Sequence, residues 1–202
     1  MMRFFMLKKK RTTNLIHLLS LLFFVSTSAY SQEKYEKEYR IKTTKVPQGA
    51  LEFIDLAGFA KKVKWYREEG FTSNSVEAKT KHHKTKYSIE FNTAGEVEDV
   101  EYIIQWEDIP ALTRINIERF LDSIYQKKRL VKIQMQLTGE KEELLQALVQ
   151  PKADLNLNTH YEIVLNGILK GTYERYEYLF SQNGEMKRKA KIILKNTDHL
   201  EY

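Results

Sequence analysis

A pattern that occurs twice along the chain limits the possible folds more than any other feature of the sequence. The segment FNTAGEV at 91–97 matches FSQNGEM at 180–186. Each contains a Phe that ends a strand, a turn with Gly where a positive φ is favoured, and the beginning of a new strand. An apolar residue followed by proline, at Pro47 and Pro110, begins the stretch before each turn. The sequence therefore predicts two copies of one structural unit.

Each copy opens with an amphipathic helix. Proline favours the first turn of a helix, and apolar residues then recur with the helical spacing i, i+3, i+4 and i+7. Gly58 follows the first of these stripes and suits a helix C-terminus. The stripes are Ala50, Phe53, Ile54 and Ala57 in the first copy, and Ile117, Phe120, Leu121 and Ile124 in the second.

Strands are predicted after each helix, because apolar and polar residues alternate there. They cover 62–70, 75–82, 84–92 and 97–104 in the first copy, and 131–139, 161–166, 173–180 and the residues after the second turn in the second copy. The side chains expected on one face of the first hairpin are Val76, Ala78, Thr80, Tyr87, Ile89 and Phe91. The predicted fold class is α+β, with two tandem helix-plus-antiparallel-sheet units and the helices on one sheet face.

The second copy is longer than the first. The prolines Pro47 and Pro110 are 63 residues apart, whereas the two turns are 89 residues apart, so the second copy holds a 26-residue insertion. It falls at 140–160, where three glutamates favour a helix N-terminus and three leucines form an apolar stripe before Pro151. We therefore predict an extra short helix there. The predicted organisation is a lead-in at 32–44, a first unit at 45–107 and a second unit at 108–202.

The first 31 residues have the composition of a secretory signal peptide. Five basic residues precede an apolar run at 15–25, and Ala29-Tyr30-Ser31 supplies small residues at the −3 and −1 positions of a cleavage site. The alternative is an uncleaved membrane anchor, which needs about 20 apolar residues. The run is shorter than that, and no Cys follows it, which excludes a lipoprotein. We expect a periplasmic or extracellular protein that meets the membrane only through its signal before cleavage.

The signal also accounts for the basic character of the chain. The sequence has 33 Lys and Arg against 27 Asp and Glu, a net charge of +6. Five basic residues and no acidic ones lie in 1–31, so the rest has a net charge of +1. Bulk charge therefore gives no reason to expect a polyanion partner, and export argues against nucleic acid. The absence of cysteine excludes disulfide scaffolds, Cys-ligated metals and thiol catalysis.

The order of these motifs resembles a known group of proteins. The x-Pro pair, the amphipathic helix, the Val-Lys-Trp-Tyr strand at 63–66, the alternating hairpin and the Phe-x-x-x-Gly-Glu turn are similar to the PepSY-like, β-lactamase-inhibitor-protein-like (BLIP-like) family. These are secreted proteins of Bacteroidota, often with tandem copies. The resemblance covers 45–194 and implies an antiparallel sheet with helices on one side and the other side open. It implies no catalytic residues, and the insertion at 140–160 departs from its pattern.

The sequence contains no motif that predicts an enzyme. Gly-x-Ser-x-Gly, a Gly-rich phosphate loop and His-Glu-x-x-His are absent. His82 and His83 are adjacent, so on a regular strand they point to opposite faces, although a loose metal site at a hairpin tip is an alternative. An acidic run on one strand consists of Glu96, Glu98, Asp99 and Glu101. Carboxylates can serve acid–base chemistry, but here we expect a solvated outer face or edge protection. We predict no catalytic residue, cofactor or metal.

Two sets of residues are candidates for binding. Trp65 and Tyr66 are neighbours on a strand, so one of them faces away from the helices, and both residue types are enriched at protein interfaces. Core packing is the competing interpretation for each. Basic residues crowd the first hairpin, namely Lys79, Lys81, His82, His83, Lys84 and Lys86. These either meet an anionic surface or, as edge-strand lysines, deter aggregation.

The sequence thus favours a secreted, non-catalytic binding module that engages an unknown envelope protein or peptide through an open sheet face. The runner-up is an envelope-surface or polyanion binder that acts through the lysine-rich hairpin 79–86. The two hypotheses differ in salt dependence, because exposed charges are screened by salt.

Overall fold

A computed structural model of the chain describes residues 32–34, 36–59, 62–70, 74–82, 84–150 and 155–192. The predicted signal at 1–31 lies outside these residues. The helices are α1 Gln48–Leu56, α2 Ala111–Ile124 and α3 Lys141–Val149. The strands are β1 Gln32–Lys34, β2 Glu36–Ile41, β3 Lys64–Gly70, β4 Asn74–His82, β5 Thr85–Asn92, β6 Val97–Ile103, β7 Lys127–Thr138, β8 Asn158–Leu169, β9 Thr172–Ser181 and β10 Met186–Ile192. Within this described part of the chain, no helix has the length and apolarity needed to cross a membrane.

The strands form one sheet in the order β1-β10-β9-β8-β7-β6-β5-β4-β3-β2. Neighbouring strands are antiparallel except β1 and β10, which run parallel. From β3 to β10 each strand pairs with the next one in the chain, with α2 between β6 and β7 and α3 between β7 and β8. The predicted α+β fold with an antiparallel sheet is confirmed.

The three helices form where the apolar spacing predicted them. α1 begins after Pro47, buries Ala50 and Phe53, and is followed by Gly58. The φ of Gly58 is 63°, a left-handed conformation that glycine adopts readily at a helix C-terminus. The other two helices each bury apolar residues spaced by four positions: Ile117 and Leu121 in α2, and Leu144 and Leu148 in α3.

Each end of the sheet has its own hydrophobic core. In the first, the Phe53 ring of α1 meets the Phe91 ring of β5 at 5.6 Å, and Leu144 and Leu148 of α3 join the same core. In the second, the Phe120 ring of α2 lies 5.9 Å from the Tyr178 ring of β9. The chain therefore buries apolar side chains of every helix against strand residues, which is the dominant source of folding free energy.

Strand register defines the two faces of the sheet. Ala78 pairs with Ile89 and Ile89 with Val100, so these buried residues share one face, which we call the first face. Side chains alternate along a strand. The residues between them, such as Glu77 and Asp99, therefore lie on the opposite side, which we call the second face.

Two glycine turns place the hairpins against the helices. Gly95 has a φ of 90° and Gly184 a φ of 82°, as the repeated sequence pattern predicts. A Cβ at Gly95 would lie 2.8 Å from the Cβ of Pro47, and one at Gly184 would lie 2.7 Å from the carbonyl oxygen of Thr113. Each turn thus contacts the beginning of the helix that precedes it, α1 or α2, and only glycine leaves room for that contact.

The N-terminal strands connect the two ends of the sheet. Lys34 pairs with Ile192 of β10, and Glu36, two residues later, pairs with Gly70 of β3. Two extended residues span at most about 7 Å, and paired strands lie about 4.8 Å apart, which limits the distance between Ile192 and Gly70 to about 17 Å. Eight flat strands from β10 to β3 would be about 34 Å wide. The sheet is therefore strongly curled.

One strand departs from the predicted alternation. The alternation of apolar and polar residues over 131–139 predicts that Val131 and Ile133 share a face. The register between β7 and β8 shifts between Leu130 and Lys132 instead. This bulge leaves Val131 44% exposed, whereas Ile133 is buried. An extra residue in one strand of a pair breaks the two-residue period, and a single-strand sequence pattern does not show where that happens.

Candidate functional site

The second face carries a group of carboxylates that the strand register brings together. Glu77 of β4 pairs directly with Glu90 of β5, and Glu90 pairs with Asp99 of β6. Glu101 lies on the same side of β6, two residues beyond Asp99, and Glu162 lies on β8 opposite Gln134 of β7. We call Glu77, Glu90, Asp99, Glu101 and Glu162 the acidic cluster. Like charges placed directly opposite each other destabilise a sheet.

Amide groups of β7 bind the centre of the acidic cluster. The Nε2 of Gln136 donates hydrogen bonds to Asp99 Oδ2 and to Glu101 Oε1, each at 3.1 Å. The Nε2 of Gln134 donates to Glu101 Oε2 at 2.7 Å. Asp99 and Glu101 thus face neutral donors, and no described cation forms an ion pair with either of them.

Lysines neutralise the outer members of the acidic cluster. Lys79 Nζ lies 2.9 Å from Glu77 Oε2, and Lys132 Nζ lies 3.0 Å from Glu162 Oε1. The Ser88 hydroxyl also donates to Glu77. Asp99 and Glu101, in the middle of the sheet, are therefore held by amide donors and not by a described cation.

Burial and mutual repulsion change the acidity of these two carboxyls. Asp99 is 9% exposed, and this burial, followed by the charges of Glu90 and Glu162, raises its pKa to about 8. Burial, followed by the charges of Glu162 and Asp99, also raises the pKa of Glu101 well above its ordinary range. Both carboxyls therefore hold a proton at a pH where ordinary carboxyls have lost it.

This setting corrects the expectation drawn from the sequence. Glu96 and Glu98 are exposed, as a solvated face requires, but Asp99 is buried and Glu101 is partly buried. Edge protection is also wrong, because β6 lies between β5 and β7 in the interior of the sheet. The run of acidic residues on β6 was visible in the sequence. Its proximity to Glu77, Glu90 and Glu162 depends on strand register, which the sequence does not show.

The two aromatic candidates lie on opposite faces of β3. Trp65 is 5% exposed and packs in the first core, 6.0 Å from the Phe91 ring, so it does not contribute to an exposed surface. Tyr66 is on the second face, where Lys79 Nζ lies 4.9 Å from its ring centre. The prediction that one of this pair faces away from the helices thus points to Tyr66, one position from the acidic cluster.

The lysine-rich hairpin 79–86 is divided between two environments. Lys79 binds Glu38 at 2.5 Å in addition to Glu77. Burial lowers the pKa of its ammonium group, but the charges of Glu77 and Glu38 outweigh that effect and raise it. Lys81 and Lys86 pair directly and are exposed, and Lys84, with a φ of 71°, is exposed in the turn. Lys79 therefore belongs to the acidic face, whereas the other three form a basic tip.

The hairpin that carries the histidines lies in the interior of the sheet and not at its edge. The His82 ring packs edge-on against Phe59 at 5.7 Å, on the first face. His83 lies outside the described residues. The lysines at 79–86 do not protect an edge strand, because β4 and β5 lie in the interior of the sheet. A single hairpin pattern cannot show how many strands flank it.

Two further groups could bind ions. Carboxylate oxygens of Glu38, Glu68 and Glu77 lie within 4.8 Å of one another, close enough to share a cation. Lys79 contacts two of these three residues and already places an ammonium group among them. A separate cleft of about 410 Å³ is lined by Arg40, Ile41, Lys42, Thr43, Lys62, Val63, Lys64 and Trp65.

The aromatic residues of β9 form part of the second core. Tyr176, Tyr178 and Phe180 are buried on the first face, and the Tyr178 hydroxyl is 2.7 Å from that of Tyr125. On the second face of β9, Glu177 forms an ion pair with Arg188 at 3.3 Å. These tyrosines therefore stabilise the fold and are not available to a partner.

Solved structures of other proteins resemble this fold. No family model matches the chain, and no curated protein matches it. A solved structure of a DUF2874 family protein from Bacteroides ovatus is similar, with a TM-score of 0.50 and 10% sequence identity over 72% of this chain and 87% of that one. The two proteins share a fold. This likeness confirms, for the fold, the resemblance to Bacteroidota proteins seen in the sequence.

A second solved structure, a BLIP-like protein from Bacteroides fragilis, is also similar. Its TM-score is 0.45 and its sequence identity is 12%, over 76% of this chain and 92% of that one. At these identities the comparisons concern the fold, and a shared fold does not determine function. We therefore infer function from the residues of the second face.

Proposed function

We propose that this protein is an exported, non-catalytic binding module that engages a protein or peptide through the second face of its sheet. In this proposal the chain consists of two tandem copies of a helix and four strands, at 45–107 and 108–202, with the helices on one side. The observation that carries the proposal is the acidic cluster on the opposite side, the second face. Buried, repelling carboxylates are destabilising, and groups that oppose stability are concentrated at functional sites.

Further features of the second face support a binding role. Tyr66 and Tyr173 both belong to it, and Tyr173 is 64% exposed. Tyrosine combines a large apolar ring with a polar hydroxyl and is enriched at energetically important contacts. The strong curl of the sheet is consistent with a concave second face, a shape that surrounds a protruding segment. Glu77 and Glu162 have lysine partners, and Asp99 and Glu101 accept from amide groups.

Site-specific photo-crosslinking tests the proposed surface. A benzoyl-phenylalanine at position 66 or 173 is expected to give a discrete crosslinked product in the cell envelope. The same group at Leu112, which is exposed on α2, serves as the control. Equal crosslinking from Leu112 would contradict binding through the second face. The absence of a crosslinked product at all three positions would contradict it too.

Cell fractionation tests the proposed compartment. The protein is expected in the periplasmic or extracellular fraction, and sequencing of its N-terminus is expected to begin at Gln32. A chain that stays in the membrane with residues 1–31 attached would support the anchor interpretation instead.

A specific observation also favours the second candidate function, binding of an anionic surface or polyanion. Lys81 and Lys86 are directly opposite each other and exposed, an arrangement of like charges that costs stability. Binding to heparin or to anionic vesicles is then expected to weaken steeply between low and high salt, and to be lost in Lys81→Gln/Lys86→Gln. Salt-independent binding would rule this function out.

A further inference from the structure

The acidic cluster contains an unsatisfied acceptor in addition to its carboxylates. Gln134 is 5% exposed, and its Nε2 donates to Glu101. Its Oε1 is buried and has no hydrogen-bond partner among the described residues. A buried acceptor without a donor costs free energy, and this amide oxygen lacks a hydrogen-bond donor. Asp99 and Glu101 beside it accept from the amides of Gln134 and Gln136 but form no ion pair with a described cation.

From this arrangement we infer that the acidic cluster is the recognition site for a basic polypeptide segment, whose Arg or Lys side chain binds Asp99, Glu101 and the Oε1 of Gln134. The inference rests on the proposed function, because it names the chemistry of the partner for the same face. A guanidinium group has five donors in a planar fork and binds a carboxylate through two parallel hydrogen bonds. It can therefore reach two acidic side chains and the amide oxygen together.

The geometry of the sheet fits an inserted cationic side chain. Asp99 and Glu101 lie on one strand about 7 Å apart, and Glu90 is on the next strand about 5 Å away. Glu77 and Glu162 are each two strands away, at about 10 Å. Lys79 and Lys132 bind Glu77 and Glu162, whereas neither Asp99 nor Glu101 forms an ion pair with a described cation. We assign that cation to the partner. Depletion of water at buried positions strengthens such a charge-assisted hydrogen bond.

Protonation couples to this binding. The groups that face Asp99 and Glu101 from the neighbouring strands are Glu77, Glu90, Lys132, His160 and Glu162, with Glu98 on β6 itself. A cation from the partner favours the ionised carboxylates, so binding releases protons wherever the free protein holds them. Affinity is therefore expected to rise as the pH increases from 6 to 8.5.

Calorimetric titration of the full chain with defined peptides tests the inference. Nona-arginine is the probe, and nona-glutamate is the control for nonspecific charge effects. The wild type is expected to bind nona-arginine about tenfold more tightly at pH 8.5 than at pH 6, with proton release. Asp99→Asn and Glu101→Gln are each expected to weaken binding by about tenfold or more, whereas Glu118→Gln, the same chemical change at an exposed position of α2, leaves it unchanged.

The variants also separate a loss of binding from a loss of folding. Removal of a repelling carboxylate is expected to leave the protein folded at pH 8, which circular dichroism can verify. Binding that is absent, or that is equal in wild type, Asp99→Asn and Glu101→Gln, would overturn the inference. A response to calcium chloride that requires Asp99 and Glu101, without any binding of nona-arginine, would overturn it too.

The proposed function can survive failure of this inference. If crosslinking from positions 66 and 173 detects a partner, and Asp99→Asn/Glu101→Gln does not reduce that crosslinking, the second face binds a partner but the acidic cluster does not recognise it. The opposite outcome is that crosslinking detects no partner while nona-arginine binds through Asp99 and Glu101. That outcome would support recognition of a basic segment and would contradict an envelope protein as the partner that carries it.

Discussion

Replacement of Asp99 by Asn is expected to remove much of the pH dependence of folding stability. Asp99 is 9% exposed and accepts a hydrogen bond from Gln136. An amide of nearly the same shape keeps an oxygen that can accept this bond. The substitution therefore removes the ability to ionise while it changes packing very little.

The size and sign of the effect follow from the two protonation equilibria. In the unfolded chain Asp99 loses its proton near the ordinary pKa of 3.8, whereas burial and neighbouring carboxylates raise its pKa in the folded protein to about 8. The folded state therefore binds more protons over this interval, and its stability falls as the pH rises from about 4 to about 8. One such group contributes a slope of about 1.4 kcal/mol per pH unit, or up to about 4 kcal/mol between pH 5 and pH 8.

Urea unfolding followed by tryptophan fluorescence at pH 5, 6.5 and 8 measures this effect. Asp99→Asn is expected to match the wild type at pH 5 and to exceed it by a few kcal/mol at pH 8. Asp55→Asn, at an exposed position of α1, is the control with the same chemical change. Because Asp99 and Glu101 interact, the double variant Asp99→Asn/Glu101→Gln measures the response of the pair. A difference between wild type and both cluster variants that does not change with pH would refute the reasoning.

Three further predictions concern packing, and each has a matched control in urea or thermal unfolding. Gly184→Ala is expected to lower the free energy of unfolding by about 2 kcal/mol or more, because its Cβ would meet the Thr113 carbonyl oxygen. Its control is Gly171→Ala, which has a similar φ and open space around the Cβ, so that only backbone strain of about 1 kcal/mol is expected. Tyr178→Phe is expected to lose about 1–3 kcal/mol by leaving the Tyr125 hydroxyl unpaired, while Tyr173→Phe at an exposed ring changes little. Leu144→Ala is expected to lose about 2–5 kcal/mol through a cavity in the first core, and Val149→Ala, which is exposed, much less. Equal losses in a variant and its control would contradict the packing described for that site.

Local patterns in the sequence predicted most of the fold. The helical spacing of Ala50 and Phe53, the alternation along β4 and β5, and the glycines at 95 and 184 each depend on residues close together in the chain. The bulge at Val131 was missed because it depends on the register of β8 against β7. The pairing of β1 with β10 and of β2 with β3 was missed for a related reason, since strand partners far apart in sequence leave no local pattern.

The candidate site was predictable only in part. The sequence indicated that Trp65 or Tyr66 faces away from the helices, but it could not decide which, because face assignment depends on the register of β3. It also showed the carboxylates of β6 without their neighbours. Asp99 becomes buried and hard to ionise only when β5 brings Glu90 and β8 brings Glu162 close to it. Electrostatic environment is a property of assembled strands, and alternation within one strand does not determine it.

The pairing of β1 with β10 has a consequence for the order of folding events. Gln32 and Ala190 are partners, although 158 residues separate them. During synthesis from the N-terminus, β1 emerges long before β10 exists, so this contact forms only after β10 has been made. Closing so large a loop is an entropic cost that slows folding. We therefore expect the sheet's two ends to join late in assembly, so that the first strand to emerge is among the last to be placed.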